Sequence, residues 1–356
     1  MAKGIPRILV NGVGVIGKRV LDAVAKQDDM KLVGAADVVA DWRVKIVARK
    51  GYPIYSSTAD AVERMERAGL KVEGTLEELL KNGEVDVVVD CAPAGLGAKN
   101  KEALYDKYGV KAIFQGGEKH ELAGLSFVCQ CNYDEALEAA ERGHRYCRVV
   151  SCNTTAACRI LNAFVKNFKV ERVRLFLVRR ATDPVKSDTK GIMNTVVPDS
   201  HIPSHHAPDI KTVMHDKIKD IYSVAVKASH TQFHFHTYDI FLGEDVAKED
   251  VVEALRREPR LSLVRAADGV VGLGSIIEIA RDYGLPRGDI YTIPIWEDLL
   301  AVIEGREVLL MAATPNENNV VVENVDAIRA ITLLERDWRK SLEKTDRSLG
   351  VPKELY

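Results

Sequence analysis

The stretch RILVNGVGVIGKRVLDAV, residues 7–24, decides the fold. It opens on a short apolar run, Arg7–Asn11, and passes through Gly12, Gly14 and Gly17 into a helical pattern over 16–26. A G-x-G-x-x-G directly after a strand and opening a helix has a physical reading. Gly12 makes the tight turn, Gly14 lets the backbone approach a pyrophosphate, and Gly17 lets helix and strand pack closely. Backbone N–H groups at the positive end of the helix dipole then face the anion. Asp37, at the end of the next apolar run, stands where a carboxylate accepts hydrogen bonds from an adenosine ribose and repels a 2′-phosphate. The same aspartate also fits a solvated turn.

Outward from this turn, residues 31–35, 85–91, 110–115 and 148–152 are continuous apolar runs, as strands buried on both faces are. Helical patterns separate them at 59–68, 76–81, 99–108 and 135–142. This alternation predicts an α/β fold with a Rossmann-type, mostly parallel sheet. After residue 165 the pattern changes to longer strands at 173–179, 221–228 and 233–241, which predicts an α+β domain on a mixed or antiparallel sheet. A dinucleotide-binding domain is expected over 1–151 and a catalytic domain over 152–319. One helical stretch is expected over 324–344.

The chain has 356 residues, 46% hydrophobic and 29% charged, with 50 basic against 52 acidic side chains and a net charge of −2. That composition excludes a mainly disordered chain, and the charge balance offers no global field for nucleic acid or an anionic membrane. No apolar stretch approaches the ~20 residues of a membrane helix. The start, MAKGIPRILVNG, enters a strand-like run with no signal-like apolar region ahead of it, so a cytoplasmic protein is expected. The six cysteines read as reduced thiols, not a disulfide framework.

VVSCNTTAA, residues 149–157, runs from a β-rich strand straight into a helix. There Cys152 receives the N-terminal dipole and nearby N–H groups, which favour thiolate over thiol and could hold an oxyanion on a carbonyl the sulfur has attacked. An inert core cysteine is the plainer alternative. Seven of the nine histidines lie between 201 and 236. His205 and His206 fall in a proline-bounded loop, whereas His234 and His236 share one face of a strand and Phe233 and Phe235 the other. A metal site, satisfied structural histidines, or one general base tuned near neutrality beside Cys152 are the readings. No metal is expected, because no carboxylate or cysteine partner is evident. Arg179 and Arg180 could bind a phosphate or carboxylate, or end a sheet edge.

These residues resemble the archaeal-type, phosphorylating glyceraldehyde-3-phosphate dehydrogenases. The likeness is carried by VNGVGVIGKRVLDAV at 10–24, QDDM at 27–30, KAIFQGGEK at 111–119 and RVVSCNTT at 148–155. LVRRATDP at 177–184, PSHHAPD at 203–209, LVRAADG at 263–269, ENVDAIRA at 323–330 and SLEKTDRSLG at 341–350 continue it. The resemblance implies that Cys152 is the nucleophile, with Ser151, Asn153 and Thr154 at the substrate and His205 and His206 near its phosphate. His234 stands at the catalytic histidine. Gly12, Gly14, Val15, Ile16, Gly17, Asp37, Gly117, Arg180 and Asn316 fall on the cofactor side. It also implies a homotetramer, a final segment of about 320–356 packing on the front domain, and a role in glycolysis or gluconeogenesis.

Three departures stand out. The family's PTTLM is here SHTQF at 229–233, which makes His230 an added candidate base, and its HQES is here PNEN at 315–318. Lysines that favour NADP in many relatives are replaced by Asp37-Val-Val39, so NAD is favoured, with NADP the other expectation. A related acyl-phosphate or semialdehyde dehydrogenase, or a cofactor-binding regulator without chemistry, are the alternative readings.

Overall fold

The computed structural model describes residues 4–115, 117–182 and 195–356. Gly116 and the Asp183-Pro184 end of the quoted LVRRATDP motif lie outside them. The chain divides into two compact units, Met1–Val150 with Val321–Leu349, and Ser151–Val320 with Gly350–Tyr356.

The first unit is built on a wholly parallel sheet of seven strands. In chain order these are β1 (Arg7–Asn11), β2 (Lys31–Asp37), β3 (Ile54–Ser56), β4 (Val87–Asp90), β5 (Lys111–Phe114), β6 (Ser126–Phe127) and β7 (Tyr146–Val149). Their spatial order is β3-β2-β1-β4-β5-β7-β6, so the direction of winding reverses between β1 and β4. Ligands of such sheets bind outside the strand ends at that reversal. Ile8, Leu9, Val10, Val87, Val88 and Val89 are all fully buried, which is why these strands read as unbroken apolar runs. Asp90 ends β4 and is itself buried. Its carboxylate accepts from the Tyr105 hydroxyl at 2.6 Å, the Asn100 amide at 2.8 Å and the Ala92 N–H at 3.0 Å.

In this unit the sequence reading passes over β3, β6 and the helices Trp42–Arg49 and His120–Ala123; in the second it passes over the helices His206–Met214, Lys248–Arg257 and Leu273–Asp282 and every strand but those at 173–179, 221–228 and 233–241. The strand expected over 148–152 ends at Val149, because Ser151 caps a helix that starts at Cys152. The single helix expected over 324–344 is two, Asn319–Thr332 and Trp338–Leu349. Leu333, at φ +55°, breaks the chain between them. Gly350–Tyr356 groups with the second unit, where Leu355 packs among Val264, Ile276 and Trp296.

The second unit carries a mixed eight-stranded sheet, as the change of pattern predicts. Its strands are β8 (Val170–Arg180), β9 (Val196–Pro198), β10 (Asp220–Ala228), β11 (His234–Leu242), β12 (Leu261–Val264), β13 (Ile293–Trp296), β14 (Ala301–Ile303) and β15 (Glu307–Thr314). The order is β12-β13-β15-β11-β8-β10-β9, with β14 on β15. Strand β8 pairs parallel with β10 and antiparallel with β11. The β11 strand starts one residue later than expected, because Phe233 adopts φ +58° and leaves the extended region. Among the described residues, no helix is long and apolar enough to cross a membrane.

Candidate active site

In the first unit, the glycine-rich turn follows β1 and precedes the helix Gly17–Ala25. Gly12 sits at φ +95°, and a Cβ there would meet backbone atoms of Cys91 and Ala92 at 2.8 Å. A Cβ on Gly17 would fall 1.8 Å from the Gly12 oxygen, so the helix can lie this close only with glycine. Around Gly14 there is open space, as an approach surface needs. Val15 and Ile16 complete the turn; the Val15 carbonyl accepts from the Arg19 guanidinium, and Ile16 is the helix N-cap. Asp37 ends β2 and closes the loop by accepting the Val13 N–H at 2.6 Å, with the Val38 N–H at 2.7 Å on its other oxygen. Gly117 lies at φ +88° beyond the end of β5.

In the second unit, Cys152 is the first residue of the helix Cys152–Asn167, and Ser151 caps it through the Thr154 N–H at 3.2 Å. A lost cap of this kind costs about 1 kcal/mol. Asn319 holds the Cys152 carbonyl at 2.9 Å, and the fully buried Arg159 holds the Asn319 carbonyl at 2.8 Å. Cys152 itself is half-buried. Burial pushes its thiol up to about 11, against the pull of the Arg180 and Arg179 guanidiniums and the Asn153 N–H. Desolvation of the sulfur thus works against the thiolate that the helix start favours.

His234 and His236 point to one buried face of β11, as the strand period requires. Nδ1 of His234 accepts the Arg180 backbone N–H at 3.0 Å, which leaves the proton of the neutral ring on Nε2. Burial, together with the charges of Arg180 and Arg179 and the neighbouring imidazoles of His236 and His206, holds His234 well below the usual imidazole range. The direction of this shift runs against a base tuned near neutrality. His230 hydrogen-bonds the Phe233 carbonyl at 3.1 Å.

The five residues expected at the substrate fall into two layers. Ser151 and His205 reach the surface. Thr154 is fully buried and its hydroxyl is committed to Asp209 at 2.7 Å. Asn153 and His206 are buried and hydrogen-bonded to each other at 3.3 Å. Desolvation, then the neighbours His205 and Arg179, push His206 down to about 2, so it stays neutral and cannot offset phosphate charge as expected. Positive charge on this side comes from Arg179, which Asp199 holds at 3.1 Å. Asp199, His205 and His206 bring ligand-type atoms within 4.8 Å of one another, but the Asp199 carboxylate pairs with Arg179 and both His206 nitrogens are engaged. Asn316 is buried with its Nδ2 unpartnered. Asn319 and Asp199 carried no sequence signal, since nothing local marks a polar residue that completes a distant site, and Asp209 was legible only as the end of the PSHHAPD motif.

A family model described as glyceraldehyde 3-phosphate dehydrogenase, C-terminal domain, matches residues 151–284. The glyceraldehyde-3-phosphate dehydrogenase of Methanopyrus kandleri is 46% identical over 349 residues, 97% of each chain. That of Methanobacterium bryantii is 43% identical over 96% of this chain and 98% of its own. The Archaeoglobus fulgidus protein of the same name is 44% identical over 98% of both. The chain belongs to the glyceraldehyde-3-phosphate dehydrogenase family, as the sequence motifs imply.

Proposed function

We propose that the chain is an oxidoreductase that converts glyceraldehyde 3-phosphate, inorganic phosphate and NAD(P) to 1,3-bisphosphoglycerate and NAD(P)H, with NAD favoured. The observation that carries this reading is Cys152, half-buried at the first position of a capped helix with two guanidiniums acting on it. The first unit is the dinucleotide domain and the second the catalytic one. A cytoplasmic homotetramer serving glycolysis or gluconeogenesis belongs to the same reading.

The first unit's residues suit a dinucleotide: the Gly12–Gly17 turn would hold the pyrophosphate and Asp37 the ribose, with Gly117 a further backbone contact. Arg180 and Asn316 are the cofactor-side residues that the family resemblance assigns in the second unit. The unpartnered Asn316 Nδ2 is a donor that a carboxamide oxygen would satisfy. When bound, the nicotinamide supplies the hydride acceptor that turns the sulfur adduct into a thioester.

The chain's own residues do the rest. Cys152 first releases its proton to solvent water, the one proton that the overall oxidation sets free; its sulfur then adds to the aldehyde carbon, and the carbonyl pair moves to oxygen. In the tautomer fixed by Arg180, His234 donates from Nε2 to that oxygen, together with N–H groups of the helix start. Acting as the base instead requires the other tautomer and loss of the Arg180 bond. After oxidation, a phosphate oxygen attacks the thioester carbonyl, the C–S bond breaks, and sulfur leaves as thiolate. Ser151, His205 and Arg179 are the residues placed to receive phosphate groups.

Cys152→Ser abolishes oxidation of glyceraldehyde 3-phosphate while dinucleotide binding stays nearly intact. Turnover retained in that variant refutes the covalent scheme.

A further inference from the structure

A chain of hydrogen bonds crosses the second unit behind Cys152, and each of its protons can be placed. At one end, Ser223 Oγ accepts the Ala207 N–H at 2.9 Å and donates to the Ser204 carbonyl at 3.0 Å. Ser204 Oγ, 2.8 Å away, must therefore spend its single proton on Ser223. Towards His206 it can then only accept, so His206 carries its proton on Nδ1, 2.9 Å from Ser204 Oγ. Nε2 of His206 is left as an acceptor for the Asn153 Nδ2 at 3.3 Å. The Asn153 Oδ1 faces His236 Nε2 at 2.9 Å and takes a proton from it. Nδ1 of His236 is the acceptor for the Tyr238 hydroxyl at 3.1 Å, while the Thr314 hydroxyl stands almost equally far from both ring nitrogens, at 3.3 and 3.4 Å.

Every member is buried: His236, Tyr238 and Thr314 are 0% exposed, and His206, Ser204 and Ser223 each 1%. Burial holds His236 near 3 and His206 near 2, so both rings stay neutral and the pattern of donors does not change around neutral pH. Fully satisfied buried networks of this kind fix one arrangement of their members.

We propose that His236 is a positioning residue: through the Asn153 side chain it fixes the start of the Cys152 helix and the tautomer of His206. The consequence reaches the surface, because the His206 ring lies against that of His205 with centroids 3.9 Å apart. A locked His206 seats the exposed His205. The Asn153 N–H that acts on the Cys152 sulfur is held by the same contact. This inference rests on the proposed dehydrogenase reaction for its kinetic consequence, but not for its tautomers.

The test compares His236→Gln, which keeps a donor at the Nε2 position and an acceptor for the Tyr238 hydroxyl, with His236→Leu. In the intact protein at pH 8, imidazole nitrogen NMR shifts should show His236 protonated at Nε2 and His206 at Nδ1. His236→Gln keeps His206 at Nδ1, and kcat/KM for glyceraldehyde 3-phosphate stays within about threefold. His236→Leu frees the Asn153 amide to turn over, moves the His206 proton to Nε2 and lowers kcat/KM on the order of 10²-fold, the scale of a small misplacement of reacting groups. Should the leucine variant not fold, Asn153→Asp serves, since a carboxylate only accepts and forces His206 to Nε2–H. A wild-type His206 protonated at Nε2, or a tautomer unmoved in the folded variants, overturns the proposal. Correct tautomers in a protein without dehydrogenase activity would overturn the functional reading alone.

Discussion

The backbone N–H of Arg180 donates to Nδ1 of His234 at 3.0 Å, across the antiparallel pair of β8 and β11. One main-chain bond thus decides which nitrogen of the ring is free to act. With Nδ1 engaged, Nε2 is a donor, and His234→Gln, which retains a donor there, should keep at least tenfold more oxidation rate than His234→Leu. Loss of an oxyanion donor costs 10²–10³-fold in general, so the leucine variant is expected in that range. Equal losses in the two variants would return His234 to the role of base.

The half-buried Cys152 makes a second measurement decisive. With its thiol held near 11, about one sulfur in 10³ is ionised at pH 8. Alkylation of Cys152 by iodoacetamide should therefore rise about tenfold per pH unit between 8 and 10 and level off only near 11. Arg180→Gln removes the larger of the two guanidinium effects and should slow alkylation at pH 8. A plateau already reached by pH 8 would mean that the helix start outweighs desolvation after all.

What the sequence disclosed depended on whether the deciding interaction was local. Ser151 and Cys152 are adjacent, so a strand running into a capped helix is legible, as is the two-residue period that puts His234 and His236 on one face. The glycine turn is legible because a Cβ at Gly12 or Gly17 would collide with backbone. By contrast, Leu333 takes left-handed backbone at φ +55° without being glycine or asparagine, so the helix break was not announced. Long-range polar closure was equally silent. Asn153 and His236 meet across 83 residues, and Gln27 and Asp29 of the QDDM motif grip the buried Arg329 guanidinium across about 300.

Asp37 accepts the Val13 N–H at 2.6 Å and so ties the glycine turn to the end of β2. Its charge should also decide between dinucleotides. Asp37→Asn leaves only one acceptor oxygen, so both NAD and NADP should bind less well. Removing the negative charge near a 2′-phosphate should nevertheless raise the NADP-to-NAD ratio of kcat/KM by roughly tenfold, about what one charge contributes near a protein surface. A wild-type preference for NADP, or a ratio unchanged by the substitution, would remove Asp37 from that role.

The buried histidines set a limit on acid stability, and the sign follows from where their protons go. His206 and His236 are held near 2 and 3 in the folded chain, and His234 is also held low, whereas an unfolded histidine titrates near 6.5. Below pH 6.5 the unfolded chain binds protons that the folded chain refuses, so stability falls as the pH drops. The contribution is complete above 6.5 and is lost progressively towards the folded values. Each group adds a slope of about 1.4 kcal/mol per pH unit, and three together approach 4. Urea unfolding at pH 7 and pH 5 should reveal this steep loss, and His236→Gln should flatten the slope by about one proton. A slope that the substitution leaves unchanged would mean that His236 is already protonated in the folded protein, which its complete burial opposes.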